Sequence, residues 1–373
     1  MCINSEQLPD STRLGAEVEV LTLGHGTEID TGREFVERIG PDDTVVLLFG
    51  SDVDGISAAA ILYRTLAMRG DFLAFPEFMD KGETIYSEQL AKRILARQPS
   101  KLIVMDTGSR GRPILPNIST MVIDDHKFER VPPVDAFVSS YGAEPPAPTS
   151  LLTYEICKDF VHVDGREWLA ALGAIADLGI DADFEIARNA KGLYGIETLK
   201  EVICLIDSAH RAPEYDLATP FEVLVNADNP KDIVDGALAQ TLILRRYNEG
   251  INSELRKLSQ LAPQVVGRWA LLAFRSPALV QPLLASTWAS RLTDNILLAA
   301  NYAYVEGKVC FSLRTVLRID LIEDIHEIGQ FEPKMDYGHR YAHAIDAILP
   351  VQEFEAFLHS IGFSSVSVET DLY

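Results

Sequence analysis

Three short, almost wholly apolar runs mark the first third of the chain: Val45–Phe49, Leu102–Met105 and Thr120–Ile123. None alternates with polar residues, which is the pattern of strands buried on both faces of a parallel sheet. Phe72–Phe78 is a further strand candidate. Between these runs the periodicity changes to that of helices. Ile56–Leu62 has the small, apolar composition of a helix packed on a sheet, and Ser87–Gln98 is amphipathic, with Ser87 placed as its N-cap. Thr31–Ile39 is expected to form a short helix, and Glu17–Leu23 alternates weakly after a loose tail over residues 1–16. Pro132-Pro133 and Ala143–Pro148 mark loops. Beyond them, Thr149-Ser150 cap a helix running to about Phe160, and Glu167–Leu178 forms another.

Strands alternating with helices in this way predict an α/β fold. Asn229–Leu261, with few helix breakers, reads as one long connecting helix. The remainder mixes strands at Trp269–Phe274, Asn295–Val305 and Lys308–Leu313 with helices near Leu321–Ile328 and over Val351–Ser360. The expected organisation is a parallel-sheet domain over residues 1–228, a connector over 229–262, and a smaller mixed α/β domain over 263–373. A length of 373 residues suits two cores better than one.

Composition narrows the class. With 47% hydrophobic and 24% charged residues, the chain reads as ordinary globular protein. No apolar run approaches the ~20 residues of a membrane span, and the first residues carry neither a basic nor an apolar signal region. Cys2, Cys157, Cys204 and Cys310 are too scattered for a metal site, so reduced thiols and a cytoplasmic location are expected. The net charge of −22, from 33 basic and 55 acidic residues, fits a strongly solvated surface and repels polyanions at long range. Nucleic-acid binding would then depend on a local basic groove or on divalent metal.

The candidate chemistry sits where the apolar runs stop. Val45–Phe49 leads through Gly50-Ser51 to Asp52 and Asp54, Leu102–Met105 leads to Asp106, and Thr120–Ile123 leads to Asp124-Asp125-His126. An open parallel sheet brings all of these to its carboxyl edge, where α/β folds bind ligands. The Glu167–Leu178 helix adds Asp177. One Asp in such a turn is an ordinary helix cap. Carboxylates collected from three strands repel one another unless cations are present. Hard oxygen ligands suit Mg2+ or Mn2+, and two such ions ~3.5–4 Å apart would support in-line phosphoryl displacement.

Ser51-Asp-Val-Asp-Gly-Ile-Ser57, Met105-Asp-Thr-Gly108, Ile123-Asp-Asp-His-Lys127 and Ala176-Asp-Leu-Gly179 resemble motifs I to IV of the DHH phosphoesterases, in order and in spacing, with the RecJ-like branch nearest. Cys310-Phe-Ser-Leu-Arg314 and Tyr337-Gly338-His339 resemble the Ser-Leu-Arg and Gly-Gly-His signatures of the DHH-associated C-terminal domain. From about residue 40 the resemblance covers nearly the whole chain. It implies metal ligation by Asp52, Asp54, Asp106, Asp125 and Asp177, with Asp106 bridging the ions and His126 facing the scissile phosphate. It gives Arg314, Gly338 and His339 the substrate's phosphates or nucleotide end, with Arg211 and Lys127 as further candidate substrate contacts.

Two positions depart from the family pattern. Asp125 stands where the first, metal-binding His of motif III is usual, and Gly50 stands where the RecJ-like branch often has a His. The first keeps a ligand of harder character, and the second removes one. The resemblance implies a C-terminal domain closing over a cleft, and hydrolysis of phosphodiesters in short single-stranded DNA or RNA, or in a dinucleotide, with Mn2+ or Mg2+. It leaves two other readings open, a catalytically impaired scaffold in a replication or repair complex and a small-molecule phosphoesterase or pyrophosphatase. A homodimer is compatible with each.

Overall fold

A computed structural model of the chain describes residues 26–70, 73–128, 130–160, 166–321, 323, 325 and 343–364. They fall into two compact units. One holds the described residues up to Ala209 together with Asp216–Arg245, and the other holds His210–Tyr215 with Arg246 onward.

In the first unit the apolar runs become a parallel sheet of five strands. These are β1 (Thr44–Phe49), β2 (Leu73–Glu77), β3 (Lys101–Met105), β4 (Ser119–Asp124) and β5 (Ala136–Ser139), in the order β2-β1-β3-β4-β5. Val45 to Leu48 and Leu102 to Met105 are wholly inaccessible, as expected for strands covered on both faces. Around the sheet lie α1 (Gly26–Glu37), α2 (Val53–Arg69), α3 (Glu88–Ala96), α4 (Thr149–Cys157), α5 (Glu167–Leu178), α6 (Glu185–Tyr194), α7 (Ile196–Arg211) and α8 (Ala218–Asn226). Ser87 does cap α3, its hydroxyl accepting from the Leu90 amide at 3.1 Å.

Register decides where the chemistry goes. Phe49 pairs with Met105, and Met105 with Ile123. The residues that follow, Gly50, Asp106 and Asp124, therefore emerge side by side at one edge, about 4.8 Å apart from strand to strand.

The single helix expected over Asn229–Leu261 is two helices, α9 (Pro230–Val234) and α10 (Thr241–Leu258). Asn229 and Asp232 form a capping box that starts a new helix, and Gly236, with φ of 73°, turns the chain out of it. Strand β5 was not expected, because four residues after a Pro-rich turn carry too little periodicity to register. Glu17–Leu23, and most of Leu321–Ile328, lie outside the described residues.

The second unit contains β6 (Gln264–Val266), β7 (Trp269–Phe274), β8 (Ile296–Asn301), β9 (Lys308–Arg314) and β10 (Ala344–Pro350), in the order β10-β9-β8-β7-β6. Among these described strands only β7 and β8 pair in parallel. The sheet carries a core on each face, one around Trp269, Phe311 and Phe354 and the other around Leu272, Phe274 and Leu297. Helices α11 (Gln281–Ala289) and α12 (Val351–Ser360) complete the described elements. No helix among the described residues is long and apolar enough to cross a membrane. Cys157 is buried, and burial pushes its thiol up to about 12, so it stays protonated.

Candidate metal centre

The site grows from the turn between β1 and α2. Asp52 is the N-cap of α2, with extended backbone and a carboxylate oxygen accepting from the Gly55 amide at 3.0 Å. Asp54, one residue into the helix, is completely buried. Its two oxygens accept from consecutive backbone amides at the start of α4, Oδ2 from Thr149 at 2.7 Å and Oδ1 from Ser150 at 3.1 Å. The expectation that Thr149 and Ser150 cap α4 is thereby corrected. Pro148 holds the N-cap position without a side-chain bond, and Asp54 supplies the acceptor from another helix. An acidic group there also meets the positive end of the α4 dipole.

Strands β3 and β4 add further acids. Asp106 is 4% exposed and sits in the left-handed region with φ of 57°. An L-residue there costs roughly 1–2 kcal/mol, which Asp tolerates better than most. Asp124 and Asp125 are 2% and 3% exposed. His126 turns its Nδ1 inward, 2.6 Å from Asp124 Oδ1 and 3.6 Å from Oδ1 of both Asp106 and Asp125. The Thr149 hydroxyl approaches the same two oxygens, at 3.4 Å each.

Two sets of ligand atoms result, each with its members within 4.8 Å of one another: Asp106, Asp124, Asp125 and His126 in one, Asp54, Asp125 and Asp177 in the other. Asp125 belongs to both. An ion held at ~2.0–2.6 Å from each oxygen requires ligands no more than about 5 Å apart, so these residues fit a hard divalent cation. Buried carboxylates at this spacing are otherwise costly.

The other expected site residues lie elsewhere. Lys127 is exposed beside the cluster. Arg211 and Arg314 belong to the second unit. Arg211 exchanges backbone and side-chain bonds with Leu279. Arg314 pairs with Asp346 at 2.7 Å and donates to the Leu313 and Ile345 carbonyls. Gly338 and His339 lie outside the described residues. Two contributors were missed in the sequence: the Thr149-Ser150 amides, and Gly173 on α5. Asp124 was counted among the strand-end acids but given no ligand role. Nothing local marks the two that were missed.

No protein-family model matches the sequence, and no curated protein does. Solved structures match the fold. An exonuclease RecJ bound to manganese aligns with a TM-score of 0.61 at 18% identity, over 91% of this chain and 95% of that one. RecJ from Thermus thermophilus in complex with Mn2+ gives 0.65 at 17% identity, over 90% of this chain and 54% of that one. This chain thus spans about half that protein's length. The chain has the RecJ-like DHH fold. The DHH domain of a member of a ribosomal-protein family aligns at 0.63 and 15% identity, covering 89% of this chain and 88% of that domain.

Glycine at residue 50 fits tightly against Asp106. A Cβ on Gly50 would stand 2.3 Å from the Asp106 carbonyl oxygen and 2.8 Å from its Oδ2. A Cβ on Gly55 would likewise strike the Gly50 backbone at 2.7–2.9 Å. The absent side chain at 50 is what lets the Asp106 carboxylate lie against the end of β1.

Proposed function

We propose that the first unit is a divalent-metal-dependent phosphodiesterase centre acting on short single-stranded oligonucleotides or dinucleotides. The observation that carries this reading is the pair of ligand sets sharing Asp125, with every oxygen or ring nitrogen within 4.8 Å of its companions. Support comes from the RecJ structures of the same fold, which were solved with manganese.

Asp54, Asp106, Asp125 and Asp177 are the proposed metal ligands, with Asp124 completing the set around His126 and Asp52 at its margin. Bound there, Mn2+ or Mg2+ would supply Lewis-acid polarisation of a phosphoryl oxygen and a water of lowered pKa. His126 is held by Asp124 through Nδ1, which leaves Nε2 to face a phosphate oxygen. Lys127, exposed beside it, adds positive charge for an entering phosphate. Arg314, Gly338, His339 and Arg211 are the proposed contacts to the substrate's phosphates or nucleotide end. A net charge of −22 disfavours long polyanions, and each additional phosphate would have to be matched by a cation.

Incubation of the purified protein with Mn2+ or Mg2+ and a panel of labelled oligomers, a cyclic dinucleotide and pyrophosphate tests the reading. The expected result is mononucleotide release from dimers to pentamers, faster than from longer single strands. Turnover of pyrophosphate alone would move the assignment to small-molecule hydrolysis. Turnover of nothing, with metal bound, would make the protein a non-catalytic scaffold.

A further inference from the structure

The acids of the metal centre come from four different elements, yet their oxygens converge within a few ångströms. Something outside the acidic motifs must set that spacing. Two residues at the start of α4 touch the cluster. The Thr149 and Ser150 amides grip the two oxygens of Asp54 at 2.7 and 3.1 Å. The Thr149 hydroxyl lies 3.4 Å from both Asp106 Oδ1 and Asp125 Oδ1. Thr149, Ser150 and Asp54 are all completely buried, so none of these bonds is diluted by water.

Gly173 supplies the space. It lies in the middle of α5, where glycine costs about 1 kcal/mol relative to alanine. A Cβ there would stand 2.3 Å from Asp54 Oδ1 and 2.2 Å from Ser150 Oγ. Neither can retreat cheaply. Asp54 is fixed by two amides, and the Ser150 hydroxyl donates to the Ala170 carbonyl at 3.3 Å. Glycine at 173 is therefore a condition for the Asp54 clamp rather than a feature of the helix.

We propose that Thr149 is a positioning residue for the metal centre. Its amide and hydroxyl join Asp54, in one ligand set, to Asp106 and Asp125, shared with the other, and Gly173 leaves the room in which that link forms. The proposal rests on the metal-centre reading and adds to it residues that none of the acidic motifs contains. Thr149 makes no direct bond to metal or substrate in this scheme. It acts by holding carboxylates at ligand spacing before an ion arrives, so that binding costs little rearrangement.

Calorimetric titration with Mn2+ tests this, read beside the thermal midpoint of the metal-free protein. Thr149→Val keeps the amide to Asp54 and the side-chain volume but removes the hydroxyl. It should weaken Mn2+ binding about tenfold or more while the fold survives, and Thr149→Ser should restore affinity to near the wild-type value. Gly173→Ala should weaken binding further, about a hundredfold, by displacing Asp54. Should Gly173→Ala fail to fold, the Thr149 pair still decides. Wild type and Thr149→Val binding Mn2+ alike would overturn the positioning role alone, as would Thr149→Ser losing as much as Thr149→Val. No uptake by the wild type at millimolar Mn2+ would overturn the metal-centre reading, and this proposal with it.

Discussion

The sheet of the first unit gathers Asp106, Asp124 and Asp125 at its carboxyl edge, facing Asp54. That of the second unit carries the ion pair of Arg314 with Asp346 between β9 and β10. In the second unit charge meets countercharge inside the chain. The Ser312 hydroxyl adds a bond to Asp346 at 2.5 Å, and Arg314 spends its remaining donors on strand carbonyls. In the first, like charges are brought together by parallel register and steadied by amide dipoles and a hydroxyl. A pair that is matched internally contributes to the stability of its sheet. A convergent set of carboxylates is complementary to a cation that the chain does not supply.

The largest effect expected from breaking this contrast is at Asp125, the residue common to both ligand sets. Asp125→Asn should abolish high-affinity Mn2+ uptake and lower turnover about a thousandfold or more. Asp106→Asn should remove one set and leave Asp54, Asp125 and Asp177 able to hold an ion. Calorimetry that finds two ions in Asp125→Asn would refute the sharing. Asn is chosen over Ala at 106 because the left-handed backbone there suits Asn and strains Ala.

Gly50 comes next. Gly50→Ala places a methyl against the Asp106 backbone and carboxylate, so the expected outcome is loss of both Mn2+ affinity and stability, of about 2 kcal/mol or more. Gly50→His, which introduces the residue that the RecJ-like resemblance implies there, should be no better. Wild-type affinity in either variant would show that Asp106 can yield without cost.

In the second unit the sign reverses. Arg314→Ala should leave Mn2+ affinity unchanged and cost about 1–2 kcal/mol of stability, because it breaks a half-exposed ion pair and two bonds to carbonyls. Chemical denaturation measures the cost. If the variant also loses affinity for a short oligonucleotide by more than stability explains, Arg314 has the substrate role the resemblance implies.

The smallest effect is a pH dependence unrelated to the metal. Burial pushes the Glu83 carboxyl up, but bonds from Arg93, the Asp80 amide and Ser87 outweigh it and hold it below the usual range. A carboxyl with a lowered folded-state pKa adds stability that is fully present above its ordinary value of 4.5 and is lost as the pH falls through the lowered one. Thermal midpoints of the wild type should therefore fall below about pH 4.5 more steeply than those of Glu83→Gln. Parallel curves would mean that Arg93 is held by its other partners, Glu77 and Asp80.

What was legible in the sequence follows the same contrast. Strands β1, β3 and β4 were readable because burial on both faces leaves nothing but apolar residues, and the acids after them needed only to be counted. The second sheet was harder. Strand β10 alternates buried and half-buried positions around Asp346, and α11 has no charged residue to mark a solvent face. The long-range parts of the site were not readable at all. Asp54 and Thr149 are 95 residues apart, and their bond depends on where α4 starts relative to α2. Gly173 looks like an ordinary small residue of a packed helix until Asp54 is placed beside it.

The contact of Gly50 with Asp106 also makes the two positions epistatic. A Cβ at 50 would meet both the backbone oxygen and the carboxylate of Asp106, so what is tolerated at one position depends on what stands at the other. A chimera carrying the turn after β1 from one protein and the turn after β3 from another will inherit or escape that conflict according to whether both were taken from the same parent.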